Sequence, residues 1–473
     1  MESLSYARHA ASRLVAVGLA CSLLACGSGG GSTTAAVLEE SPAVPQEPDV
    51  PQEPAATPVA VAASVQVTLE VPPSLVAAPF DTERKLTVPP GFGIRLWARL
   101  AGARFMALAP NGDVLVSHPG SGKVFLLRDR AGDVPQSIEF ASGLQKPHDM
   151  VFHTIGSTTY LYIAESQRVT RSEYQGGDTQ TRPRQVVVDD LPDASNTELQ
   201  GSYFHELKNI AISADHRLYV SIASSCNVCI EDTQSDPLRG AIYEYTAEGG
   251  SRRLYARGLR NAEGLAFLPG TSVLWVAVNN RDEIPYPFDS DFDGDGTSDL
   301  GKILPGFVDD NPPEPFTEVR AGGHYGWPFC NSLANERMTD LDLVNDFNLN
   351  RNGAALDCAT VDRTSKGIRA HSAPLGLSFL HDSTVAEAYR KGAAIALHGC
   401  WNCTSLRAGY KVVYFPFDTA GKAGDEIDLV RGFVTDPDAR TVWGRPVDVI
   451  ADAKGNLLVS DDHAGAIYQL YPK

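Results

Sequence analysis

Apolar residues alternate with polar or small ones in six stretches of this chain, each time on both sides of a tight turn. The stretches are "MALAPNGDVLVSH" (106–118), "HDMVFHTIGSTTYLYIAES" (148–166), "KNIAISADHRLYVSIASS" (208–225), "EGLAFLPGTSVLWVAVNN" (263–280), "LGLSFLHDSTVAEAYRKGAAIALHG" (375–399) and "VDVIADAKGNLLVSDD" (447–462). Period-two alternation joined by turns rich in Asp, Asn and Gly predicts antiparallel strands half-buried against neighbours. Several units run on into a third strand, as in "GAIYEY" (240–245), "GYKVVYF" (409–415) and "GAIYQLY" (465–471). No amphipathic helix of ordinary length is expected outside the N-terminal signal, and the best place for short helical pieces is around 334–346. Copies of one strand–turn–strand unit that bury their faces only against each other predict an all-β fold, a β-propeller. The unequal spacing implies a long insertion over 281–372, and in a propeller such insertions gather on one face and build the site.

The N-terminus has a different pattern. Arg8 and Arg13 precede an apolar run that is short for a membrane span, followed by Leu23-Leu24-Ala25-Cys26. This reads as a bacterial export signal over residues 1–26, with a lipobox that makes Cys26 the lipidated first residue of the mature chain. Residues 27–78 are Gly/Ser-rich and then Pro/Glu/Val-rich, which predicts a disordered tether ahead of a folded region over 79–473. An exported lipoprotein on the periplasmic side of a membrane or at the cell surface is the expected location. Gly27, rather than Asp after Cys26, tilts that expectation toward the outer membrane.

The net charge of −18 argues against nucleic acid and against a folded face that adheres to anionic lipid. Of eight cysteines, six remain after the signal and the lipidated residue, and an even count in an exported chain favours disulfides. The expected pairs are Cys226–Cys229, Cys330–Cys358 and Cys400–Cys403, although the two C-x-x-C pairs could also form a four-thiolate zinc site.

The repeats share an anomaly: polar residues stand where alternation does not require them. His148-Asp149, His205, Arg260-Asn261, His371 and Arg445 each precede or open a unit. If the first strand of each blade lines the central channel, these residues converge at one end of it and suit an anionic or carbonyl-rich ligand. In the insertion, "DSDFDGDGTSDLGK" (289–302) offers Asp291, Asp293, Asp295 and Asp299 around a glycine turn, a candidate structural calcium loop. Lys302 occupies the position of the bidentate Glu of an EF-hand, so the loop is closer to helix-free Asp-rich calcium loops.

The motifs "HELKNIAISADHRLYVSIASSCNVC", "GLRNAEGLAF", "GGHYGWPFC", "HGCWN…GYKVVYF" and "GRPVDVIADAKGNLLVSDDHAGAIYQL" resemble the glucose/sorbosone dehydrogenase family from about Gly91 onward. The resemblance implies a six-bladed propeller that oxidises a sugar or polyhydroxy aldehyde with pyrroloquinoline quinone (PQQ) and calcium. It implies His205 as general base, with hydride passing to the C5 carbonyl of PQQ and Arg260 beside that carbonyl. Asn261, Arg407, Arg445 and His148 are the candidate cofactor-binding residues, and the backbone carbonyls of Asn279 and Asn280 would hold the cofactor calcium. Electrons would pass to a quinone or periplasmic cytochrome. The chain departs from the best-known glucose dehydrogenases at Phe204, Asn279-Asn280 and Val447, where they carry Asp, Gly-Pro and a second Arg, and so stands nearer the sorbosone-dehydrogenase-like branch. The alternatives are a calcium-dependent lactonase, for which Asp149 and Glu263 supply few ligands, and a non-catalytic propeller that binds carbohydrate or protein.

Overall fold

The computed structural model describes residues 63–130, 132–381 and 385–473. The export signal and Cys26 lie outside the described residues. Six sheets follow one another along the chain, each beginning at the innermost strand and antiparallel except where Gly323–His324 joins the third in parallel. In blades 1 to 6 these inner strands are Met106–Leu108, Met150–Ile155, Ile210–Ile212, Asn261–Phe267, Pro374–Phe379 and Pro446–Ala451. The six alternating stretches therefore supply the inner half of the six blades. The ring closes where Phe92–Arg99 pairs with Ala466–Pro472 and becomes the outer strand of blade 6.

Apolar side chains from facing sheets fill the wedges between blades. Leu115 and Leu161 lie between blades 1 and 2, Tyr162 and Val220 between 2 and 3, and Ile242 and Val276 between 3 and 4. Trp275 and Ile395 lie between blades 4 and 5, Val412 and Val459 between 5 and 6, and Val116 and Ile467 between 6 and 1. No blade has a core of its own, as expected for sheets that bury both faces against neighbours.

One register position near the start of each inner strand settles how adjacent blades meet. Asp448 Oδ2 accepts from the backbone N–H of Met106 in blade 1 at 2.8 Å, and Asp149 Oδ2 accepts from that of Ile210 in blade 3 at 2.9 Å. Each carboxylate thus clips its blade to the next. In blades 4 and 5 the equivalent residues are Gly264 and Gly376. A Cβ on Gly264 would lie 2.5 Å from the carbonyl oxygen of Leu375, and one on Gly376 would lie 1.9 Å from Asp448 Oδ1. Only glycine allows that approach. Behind this position, Ser117, Ser221 and Ser460 accept the N–H groups of Phe105, Asn209 and Asp448 at 3.0, 3.2 and 3.1 Å.

The structure corrects three expectations. The tether does not reach residue 78: Val65–Thr68 pairs with Lys85–Val88, and this hairpin extends blade 5, with Leu69 buried beside it. The alternation "VQVTLEV" supplies the strand that the Pro-rich composition masked. The region 281–372 is not one insertion, because it contains the two outer strands of blade 4, Glu314–Val319 and Lys366–Ile368. Two separate excursions flank Glu314–Val319. Residues 334–346 are not helical, since Leu343–Asn345 pairs with Cys330–Ser332; the single α-helical turn among the described residues is Pro305–Val308.

Asp448→Ala leaves the buried N–H groups of Met106 and Val449 without their acceptor, and is expected to cost about 3 kcal/mol in urea denaturation, against about 1 for Asp448→Asn. Burial raises the Asp448 carboxyl to about 6. The folded chain therefore binds its proton more readily than the unfolded chain between about pH 4 and pH 6, and this group's contribution to stability falls as pH rises through that window. The fall should be absent from Asp448→Asn.

Candidate active site

The register position immediately before the blade clips points along the channel. It holds Arg104, His148, Lys208 and Glu263 in blades 1 to 4, then Leu375 and Val447 in blades 5 and 6. The ladder slips by a residue at this point in blades 4, 5 and 6, and such bulges re-aim side chains. Glu263 Oε2 meets His148 Nε2 across the axis at 3.1 Å, and Glu263 Oε1 accepts from Asn261 Nδ2 at 3.1 Å. Burial works against the Glu263 charge, but the bond to His148 and the charges of His148 and Arg104 hold the carboxyl at about 2. Burial pushes the Lys208 ammonium down to about 7. On the opposite side Phe105, Leu375 and Val447 form an apolar plug.

His205 and Arg260 stand at this end of the channel. His205 Nδ1 lies 2.8 Å from the Ser224 carbonyl oxygen, which can only accept, so Nδ1 carries the hydrogen and Nε2 the lone pair. Burial, and next the charge of Arg260, push the imidazole down to about 4, so the ring is neutral at physiological pH. The Ser224 N–H in turn donates to the Arg260 carbonyl, linking the two residues through backbone.

Arg260 is buried, and each of its donor nitrogens has an acceptor. Nε donates to the Asn227 carbonyl at 3.1 Å, Nη1 to the carbonyls of Asn280 at 2.6 Å and Asn279 at 3.4 Å, and Nη2 to Asp282 Oδ2 at 3.2 Å. Asp282 Oδ1 also faces His371 Nδ1 at 3.3 Å, while His371 Nε2 lies 2.6 Å from the Val308 carbonyl. Burial disfavours the imidazolium, but the Asp282 bond and the charge of Glu314 outweigh it and raise His371 above its ordinary value. Glu314 itself, buried beneath and accepting from the Asn280 N–H, rises to about 7.

Of the residues singled out in the sequence, the structure gathers His148, His205, Arg260, Asn261, Asn279 and Asn280. Arg445 stands nearby, donating to the carbonyls of His398 and Gly399 at 3.0 and 2.9 Å, next to the chain Arg104–Asp462–His398. Arg407 is exposed, with contacts to Ser405 and Asp438, and among the described residues it bonds none of the His205–Arg260 group. In the acidic loop, carboxylate oxygens of Asp291, Asp293 and Asp299 lie within 4.8 Å of one another, whereas Asp295 turns to Thr297. Cys226–Cys229, Cys330–Cys358 and Cys400–Cys403 are paired, which removes the zinc alternative. The sequence reading missed Asp282, Glu314, Asp462, Arg104 and Lys208. Only Arg104 and Lys208 had a signal, as charges at the register of His148 and Glu263.

The residues fit a polyanionic quinone and a hard cation. The buried Nε–H of Arg104 has no partner among the described residues and can donate to an anion. The Asn279 and Asn280 carbonyls converge on one positive charge, here Arg260 Nη1, with the carboxylates of Asp282 and Glu314 alongside, a donor set of the hard-oxygen kind that calcium takes.

The fold is that of a six-bladed β-propeller with a buried polar site at one end of its channel. The chain belongs to the TrAA12-like family, whose model matches residues 86–473. It is similar in fold to a Trichoderma reesei carbohydrate-active enzyme of family AA12 in a calcium structure (TM-score 0.66, 20% identity, 82% of this chain and 97% of that one). The holo form of the pyranose dehydrogenase PQQ domain from Coprinopsis cinerea gives a TM-score of 0.64 at 19% identity, over 82% of this chain and 97% of that one. The apo-form of the soluble aldose sugar dehydrogenase from Escherichia coli gives 0.54 at 15%, over 81% and 100%. An uncharacterized protein of Borreliella burgdorferi is 22% identical over 410 residues, 84% of this chain and 94% of that protein.

Glu263→Gln removes the one carboxylate that faces both His148 and Asn261. It is expected to destabilise the chain by about 3 kcal/mol in chemical denaturation, as for a buried ion pair that loses one partner.

Proposed function

We propose that this protein oxidises a sugar or other polyhydroxy aldehyde, with PQQ and calcium bound at the His205–Arg260 end of the channel. The observation that carries this reading is the His205 tautomer: a neutral imidazole, its Nδ1–H committed to the Ser224 carbonyl, with Nε2 free to take a proton. When bound, PQQ supplies the hydride acceptor and calcium polarises its carbonyl. His205 then removes the hydroxyl proton of the substrate at Nε2. Arg260, held by carbonyls and Asp282, presents a fixed cation to the negative charge that develops on the acceptor. Arg104, Lys208 and Arg445 give the channel mouth the cations that carboxylates of a quinone need.

A sugar substrate is supported by two aromatic rings. Phe204 and Trp401 are the most exposed large apolar side chains among the described residues, at 71% and 69%. Phe204 adjoins His205, and Trp401 adjoins Asn402, which donates to Asp282. Rings so placed suit the apolar face of a pyranose. Export with a lipid on Cys26 belongs to the same reading, supported by the pairing of every cysteine among the described residues. The electrons then go to a quinone or cytochrome outside the cytoplasm.

Titration of the apo-protein with PQQ, with and without calcium, followed by bleaching with a panel of sugars, tests the reading; failure to bind quinone at micromolar concentration overturns it. With the cofactor bound, His205→Ala should lower kcat by at least about 100-fold. The acid limb of kcat/KM for the wild type should fall near pH 4, because the base is inactive only once protonated. Trp401→Ala should raise KM for a hexose by about five-fold, the equivalent of about 1 kcal/mol of lost packing.

A further inference from the structure

The two small disulfide rings carry an arrangement that the dehydrogenase reading leaves unused. Each ring encloses two residues, and in each ring one of them is an asparagine that reaches Asp282. Asn227, in the Cys226–Cys229 ring, pairs its amide with the backbone of Asp282: Oδ1 accepts from the Asp282 N–H at 2.9 Å and Nδ2 donates to the Asp282 carbonyl at 2.9 Å. The Asn227 carbonyl also accepts from Arg260 Nε, and from Trp327 Nε1 at 3.2 Å. Asn402, in the Cys400–Cys403 ring, donates Nδ2 to Asp282 Oδ1 at 3.2 Å. Asp282 lies on an irregular stretch that leaves blade 4 after Asn279, and no strand partner holds its main chain. The Asn227 side chain, from blade 3, does so instead, while Asn402 and His371, from blade 5, hold its carboxylate.

We propose that Asn227 and Asn402 are positioning residues, that the two rings exist to present them, and that together they fix Asp282 and through it the aim of Arg260. Ordering a loop asparagine costs conformational entropy, which a closed ring has already removed. The rings are further anchored: Ser224 Oγ donates to the Cys226 carbonyl at 2.9 Å, and the Tyr410 hydroxyl donates to the Cys400 carbonyl. Asp282 then bonds Arg260 and His371 at once. Opening either ring releases one side of this clamp. The proposal rests on the dehydrogenase reading for what Arg260 does, but not for how Arg260 is held.

The test uses Asn227→Ala, Asn402→Ala, Asn402→Asp and the paired Cys→Ser variant of each ring. Hydrogen exchange by mass spectrometry on the apo-chain reads the clamp without any cofactor: segment 279–283 should exchange at least about ten-fold faster in each variant, while the inner strands keep wild-type protection. With PQQ bound, kcat should fall by about ten-fold or more with KM for sugar nearly unchanged, and the quinone should bind more weakly. Asn402→Asp, an isostere whose carboxylate would face that of Asp282, should be worse than Asn402→Ala; a merely structural role predicts the reverse order. If a Cys→Ser pair fails to fold, the asparagine variants decide. Wild-type exchange in 279–283 with kcat within about two-fold overturns the proposal. If the wild type binds no quinone, the dehydrogenase reading falls, and the exchange measurement still decides whether the rings hold Asp282.

Discussion

The pairing of Phe92–Arg99 with Ala466–Pro472 is the contact on which the rest of the structure depends. Six sheets that share their faces have no independent cores, so each wedge is complete only when the ring is closed. Closure joins residues almost four hundred positions apart in sequence, and its loop entropy has to be offset by the wedges it completes. The hairpin of Val65–Thr68 and Lys85–Val88 then covers the outer edge of blade 5, leaving its backbone groups paired.

Closure also compels the chemistry. Bringing six inner strands around one axis places six side chains at the same height. Where four of these are Arg104, His148, Lys208 and Glu263, charge is buried whether or not a ligand is present. Glu263 faces His148, Asn261 and Arg104, and Asp462 faces Arg104 and His398 from the rim. The channel end thus buries charges of both signs, paired with one another, within an acidic protein of net charge −18. Apolar Phe105, Leu375 and Val447 fill the other side.

The inner and second strands of all six blades were legible because alternation is a local signal, and so were the polar anomalies that mark the channel. What was illegible is long-range. Glu314–Val319 lies beyond an excursion that hides its membership of blade 4, and the strand at Val65–Thr68 adjoins a Pro-rich run that masks it. His205 and Arg260 stood out through their motifs, but Asp282 did not, since its partners Asn227 and Asn402 are 55 and 120 residues away. For Arg407 the motif fixes its position in the chain but not the direction of its side chain, which Ser405 and Asp438 hold. A carboxylate's surroundings are a property of topology, and sequence shows them only when the partners are neighbours.

The order of charges at the site follows from one buried guanidinium. Burial of Arg260 would weaken its charge if nothing opposed it, and Asp282 and Glu314 oppose it. The same cation reinforces the burial that keeps His205 neutral, so the base and the electrophilic partner are set by one group rather than tuned separately. Asp282, held below the ordinary carboxylate range by its bond to His371 and the charge of Arg260, in turn raises the proton affinity of His371. Any displacement of Asp282 therefore changes the field at His205, Arg260 and His371 together.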